Sequence, residues 1–132
     1  MNLEKISSDI RLLASDLLEK KELELPKKQL GSSIMPSKIN PVIVEFIVAI
    51  AHKVYSNDLV ISSLSAQGVL ELNANLPITG HCVLESIELL ISATMTMREN
   101  LFTGLKINEK NAKKTFQQSY NYDCPGTFYW LQ

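Results

Sequence analysis

The chain has 132 residues, of which 45% are hydrophobic and 20% charged, and its formal net charge is −1. That length suits one domain of ordinary size, and the composition is that of a globular chain, which excludes a disordered tail or linker. The near-neutral charge argues against a nucleic-acid surface, which needs clustered positive charge, and leaves a small anionic substrate open, since one lysine in a pocket serves that purpose.

The two cysteines, Cys82 and Cys124, have no CxxC or Cys/His ligand spacing around them. They read as free thiols of a reducing compartment, with no metal and no cofactor expected. Acidic residues interrupt the first apolar stretch, so no signal peptide is read. No uninterrupted apolar run reaches the ~18 residues of a membrane span. The expectation is a soluble, cytoplasmic protein with no membrane partner.

In chain order, Leu3, Ile6, Ile10, Leu13 and Leu17 recur at helical spacing and predict a helix from about Leu3 to Glu19, its apolar face widened by Leu12, Ala14 and Leu18. Residues 20–30 are polar, contain Pro26, and read as a connector. Gly31, Ser32, Ser33, Pro36, Ser37 and Pro41 then favour a loop over regular structure. Asn40 is a good N-cap and Pro41 suits the first position of the next helix. That helix is apolar nearly all round from Val42 to about Leu59, the pattern of a buried helix. Ser56-Asn57-Asp58 predicts a bend, with helix resuming from Ile61 to Ala66 and ending at Gly68. Val69 to Asn75 is ambiguous between strand and turn. Pro77 opens a third helix over about Leu76–Leu101, with Leu84, Ile87, Leu90, Ile91, Met95 and Met97 on a broad apolar face and Gly104 as its stop. A short fourth helix runs from Asn108 to about Tyr120. The fold class is therefore all-α, a bundle of long helices whose apolar faces ask for partners beyond this chain.

The residues of 31–41 allow two readings. Glycine permits close backbone approach, Ser32 and Ser33 offer hydroxyls, Lys38 a cation and Asn40 an amide, just ahead of the positive end of a helix, which together make an anion site. The alternative is a plain serine-glycine loop whose Asn40 caps the helix.

The string Gly31-Ser32-Ser33-Ile34-Met35-Pro36-Ser37-Lys38-Ile39-Asn40-Pro41 resembles the signature of the fumarase/aspartase superfamily, with only Ser37 and Ile39 at places that vary. The resemblance extends to Leu3-Glu4-Lys5-Ile6 and Asp9–Ser15 before the loop, and to Leu70–Asn73, Pro77 and Glu85-Ser86 after it, covering about residues 3–110. It implies the helical bundle of the family's central domain and an anti elimination that yields fumarate. It also implies Ser32 as the general base, and Lys38, Asn40 and Ser33 as ligands of a substrate carboxylate. Glu45 takes a supporting role, paired in the family with a histidine from another segment. The implied substrate is a small dicarboxylate, aspartate first by the similarity around Glu85-Ser86, with malate or fumarate as the alternative. The implied assembly is a homotetramer or dimer.

Family members are much longer, and build each active site from three regions on three subunits. Only the third region is found here, and Ser15–Lys20 departs from the family's pattern, as do residues 111–132. The expectation is a C-terminal-side fragment: residues 1–105 from the central helical domain and 106–132 opening a further helical domain. Catalytic inertness of this chain alone, as a self-associating helical unit, is the competing expectation. His52 and His81, with no motif around them, read as ordinary helix residues, and Met95 and Met97 as packing residues.

Overall fold

A computed structural model describes residues 2–15, 21–28 and 40–123, the side chains of 118–123 excepted. Helix α1 is Asn2–Leu13, strand β1 Leu23–Glu24, helix α2 Val42–Ser65, helix α3 Leu76–Asn100, strand β2 Lys106–Ile107 and helix α4 Glu109–Asp123. A single 3₁₀ turn, Phe102–Gly104, follows α3.

Two long helices organise the rest. Helix α2 has 24 residues and α3 has 25, each about 36 Å at a rise of 1.5 Å per residue. They pack as an antiparallel hairpin. Val44, Ile47 and Ile50 of α2 share a buried cluster with Ala93, Met97 and Leu101, closed from the other side by Ile10 of α1. Ile47 is 0% exposed, and burial of such a side chain stabilises by about 1.5–3 kcal/mol. Nothing bends α2 at 56–58, contrary to the sequence expectation. Asn57 stays helical because its side chain finds partners on α3 rather than on the local backbone.

The turn between α2 and α3 is tight. Val69 and Leu72 exchange backbone hydrogen bonds of 2.9 and 3.1 Å, and Leu70 sits at φ 55°, a left-handed conformation that costs a branched apolar residue on the order of 1–3 kcal/mol. The Asn73 amide donates to the Leu64 carbonyl at 3.0 Å, closing the end of α2 before Gly68 is reached. Pro77 lies in the first turn of α3, as expected.

The predicted apolar face of α3 exists, but in the single chain it is open. Leu84, Ile87, Leu90, Ile91 and Met95 are exposed; Ala93 and Met97 are the buried members of that stretch. By length and composition, 76–104 would also suffice to cross a membrane. The first helix is shorter than predicted, and Ser7, not Ile6, is its buried residue beside Ile10.

The polar connector contains a feature that periodicity missed. Strand β1 pairs antiparallel with β2, Leu23 opposite Ile107 and Glu24 opposite Lys106, so unlike charges face each other across the ladder. Gly104 does not end α3 in a left-handed cap. The helix stops at Asn100, and the glycine is required by close packing: a Cβ there would stand 2.8 Å from Cβ of Pro26.

Candidate functional site: the entry to helix α2

Of the residues singled out by the sequence, Ser32, Ser33 and Lys38 lie outside the described residues. Asn40 and Glu45 fall within them, and both differ from expectation. Helix α2 begins one residue late, with Pro41 in the capping position at φ −80° and ψ 53° and with no side-chain cap hydrogen bond. The first bond across this turn runs from the Glu45 N–H to the Pro41 carbonyl, 3.1 Å. Asn40 is therefore not the cap; its half-buried amide is not committed to the helix start. The leading N–H groups of α2 carry the partial positive charge of the helix N-terminus.

The sequence sets Glu45 in a helix that reads as buried, and the family resemblance pairs it with a histidine. It lies instead on an outer face of α2 and meets Arg11 of α1, with Nη2 3.4 Å from Oε1 and both side chains about half exposed. The reason is geometric. One face of α2, that of Val44, Ile47 and Ala51, is sealed by α1 and α3, and Glu45 points away from it.

The histidines behave as ordinary helix residues. His52 is exposed, with Nε2 3.5 Å from Oε1 of Glu4 and its ring edge-on to Tyr55. The Tyr55 hydroxyl donates to the same carboxylate. That hydrogen bond, then burial, then the nearby negative charge hold the phenol above its usual range. This contact joins α1 to α2 across 51 positions of sequence, beyond the reach of any local pattern.

A second polar cluster was also missed. Asn57 is 2% exposed. Its amide nitrogen donates to Oε2 of Glu85 at 2.8 Å and to Oγ of Ser86 at 3.0 Å, with a longer contact to the Cys82 carbonyl. Lys53 donates to Oδ1 of Asn57 at 2.9 Å and pairs with Glu85 at 2.9 Å. The Ser86 hydroxyl donates to the Cys82 carbonyl at 2.7 Å. Lys53 first, then Asn57, lower the Glu85 pKa. The only sequence signal was the i, i+4 spacing of Lys53 and Asn57. Cys82 is free, as expected, and it is also buried.

Among the described residues no group of His, Cys, Asp and Glu could hold a metal ion. A shallow groove of about 420 Å³ runs along α3, lined by Glu88, Ile91, Ser92, Met95, Thr96 and Glu99. Its two carboxylates, with no cation among the lining residues, suit it poorly to a dicarboxylate.

Comparison with known proteins places this geometry. A family model described as "Lyase" matches residues 1–56. The chain is 38% identical over 120 residues to an aspartate ammonia-lyase of Bacillus sp, covering 90% of this chain and 26% of that protein. It is 44% identical over 110 residues to a class II fumarate hydratase of Listeria monocytogenes, covering 83% and 24%. Among solved structures, the native fumarate lyase:delta crystallin of Brucella melitensis superposes with a TM-score of 0.81 at 36% identity, over 91% of this chain and 28% of that one. A class II fumarase of Schistosoma mansoni gives 0.79 at 31% identity, over 85% and 24%. The chain thus spans about a quarter of the length of the curated relatives it matches. On sequence and on fold together, it belongs to the fumarase/aspartase superfamily of lyases.

Proposed function

We propose that this chain supplies the carboxylate-binding and proton-abstracting part of a fumarate-forming lyase, with elimination of ammonia from aspartate as its reaction. The observation that carries the reading is the unbroken run Gly31–Pro41 set ahead of an α2 N-terminus whose capping position, Pro41, has no side-chain cap hydrogen bond. In this reading Ser32 takes the proton beside a substrate carboxylate. Negative charge then accumulates on that carboxylate, and Lys38, Asn40 and Ser33 stabilise it as it develops. Serine serves as a base only where donors and positive charge favour its alkoxide, which Lys38 and the helix N-terminus supply. Glu45 supports the site from the first turn of α2 through its pairing with Arg11. Relatives named as class II fumarate hydratases match almost as well, so elimination of water from malate is the second reading. Glu85-Ser86, which favoured aspartate in the sequence, are engaged with Asn57, and in this chain they join two helices.

The open apolar face of α3 supports an oligomer, a dimer or tetramer, in which further copies cover Leu84, Ile87 and Ile91. Sedimentation at micromolar concentration should show association; a well-folded monomer would refute it.

The chemistry is tested by turnover. Positioning by groups from other segments contributes effective molarities up to ~10⁵ M or more, so the isolated chain is expected to release no measurable fumarate from aspartate or malate. It should still bind fumarate, and Lys38→Ala should weaken that binding. Turnover of aspartate by the isolated chain, abolished by Ser32→Ala, would mean that the site is complete within these residues. Fumarate binding that is absent, or indifferent to Lys38→Ala, would remove the functional reading itself.

A further inference from the structure

Residues 21–26 lead toward the signature run, and they are held from several directions. The Glu22 N–H donates to the Leu13 carbonyl at 3.0 Å, tying the segment to the end of α1. The Asn108 N–H donates to the Glu22 carbonyl at 2.8 Å, and the Asn111 side-chain amide donates to the Lys21 carbonyl at 2.8 Å, across 90 positions of sequence. The β1–β2 ladder adds Leu23 opposite Ile107 and Glu24 opposite Lys106. Gly104 then lets Pro26 approach so closely that no Cβ fits between them.

The partner segment also opens α4, where the Asn111 N–H donates to Oδ1 of Asn108 at 3.2 Å. Phe102 and Ile107 are exposed, so residues 102–111 add little to the core; Asn108 and Asn111 instead hold the carbonyls of Glu22 and Lys21. On the far side of the signature run, Val44 and Ile47 are locked in the main cluster that also holds Leu101. Leu23 and Leu25 pack against that same cluster. The described residues on both sides of the run thereby pack on one buried cluster.

We infer that Phe102–Asn111 is a clasp that sets where the chain enters the signature run, with Gly104 and Asn111 as positioning residues for the carboxylate-binding loop. The inference rests on the functional reading above. The clasp acts through backbone placement and touches no substrate. Its physical basis is that a binding group must be held to within a fraction of an ångström to be effective, and a loop inherits its precision from the elements at its ends.

Amide hydrogen exchange on the full chain tests it. Gly104→Ala places a Cβ against the Pro26 ring, whose atoms are bonded to the backbone and cannot rotate aside. Exchange in residues 21–28 should rise by roughly tenfold while α2 and α3 core amides (44–54, 89–97) keep their protection. Gly80→Ala is the matched control, since a Cβ there meets nothing within 4 Å, and it should leave exchange at 21–28 unchanged. Asn111→Ala, which removes a single hydrogen bond, should give a smaller rise in the same residues and serves if Gly104→Ala fails to fold. Unchanged exchange at 21–28 in Asn111→Ala and in a folded Gly104→Ala overturns the clasp. So does a rise spread equally through α2 and α3, which would make Gly104 a general packing residue. Added fumarate separates this inference from the reading beneath it. If fumarate protects residues 40–45 in the parent and Gly104→Ala behaves as the parent does, the site stands and the clasp falls. If Gly104→Ala loosens 21–28 while fumarate protects nothing in either protein, the clasp is a structural fact and the site reading falls.

Discussion

The two halves of the α2–α3 hairpin are joined by opposite means. Toward the start of α2 the seam is dry: Val44, Ile47 and Ile50 against Ala93, Met97 and Leu101. Toward the turn it is polar: Lys53 and Asn57 against Glu85 and Ser86. Apolar contact is strong but non-directional, so it tolerates a slip of one helix along the other at modest loss. A buried amide with its donors and acceptors placed on named partners does not tolerate a slip, because each lost partner leaves a desolvated polar group. The dry half supplies most of the stability and the polar half sets the register. Register matters at the other end, since it decides where the first turn of α2 sits.

Breaking the dry half should have the largest effect. Ile47→Ala removes a side chain that is 0% exposed, and is expected to cost about 2–5 kcal/mol in urea or guanidinium unfolding. Asn57→Ala comes next. It leaves Glu85 and Ser86 short of a donor and Lys53 short of an acceptor, with an expected loss of about 1–3 kcal/mol. A double-mutant cycle with Ser86→Ala should show coupling, whereas additivity would mean that the network is not a unit.

Acid provides a graded version of the same break. The Glu85 pKa is lowered in the fold from an ordinary value of 4.5. A group with a depressed folded pKa contributes stability that is present above its unfolded pKa and lost as pH falls through the folded one. Stability should therefore decline from about pH 4.5 downward, and Glu85→Gln should flatten that decline. An unchanged acid limb in the variant would assign the loss to other carboxylates.

The smallest effects sharpen the contrast. Ser7 is buried with a hydroxyl that finds no hydrogen-bond partner among the described residues, so Ser7→Ala should be neutral or stabilising by up to ~1 kcal/mol, opposite in sign to Asn57→Ala. Arg11→Ala breaks an exposed pair with Glu45 and should change stability by about 0–1 kcal/mol. A large loss from Arg11→Ala would show that the α1–α2 seam depends on charge rather than on Ile10.

Much of this was legible in the residues. The all-α class, the span of α3, Pro77 in its first turn and the free thiol of Cys82 all follow from local patterns, because apolar periodicity and capping chemistry act within a few residues. Family membership was legible too, carried by Gly31–Pro41. Where local rules failed, a distant contact had prevailed. Ser56-Asn57-Asp58 reads as a bend until Glu85 and Ser86 take the Asn57 side chain. Asn40 reads as a cap, yet Pro41 takes that position and the helix begins at Val42. Gly104 reads as a helix stop, and its reason is Pro26, brought beside it by a strand pairing that the polar connector did not announce. Glu45 reads as buried because its neighbours in sequence are apolar, and only the docking of α1 and α3 decides which face of α2 is sealed. The sequence alone determined which helices form and which family they resemble, since those depend on neighbours a few positions away. Tertiary structure decided which polar groups are satisfied and how the approach to the signature run is held, because those depend on partners up to 90 positions away, whose cost in chain entropy is met only once the hairpin has packed.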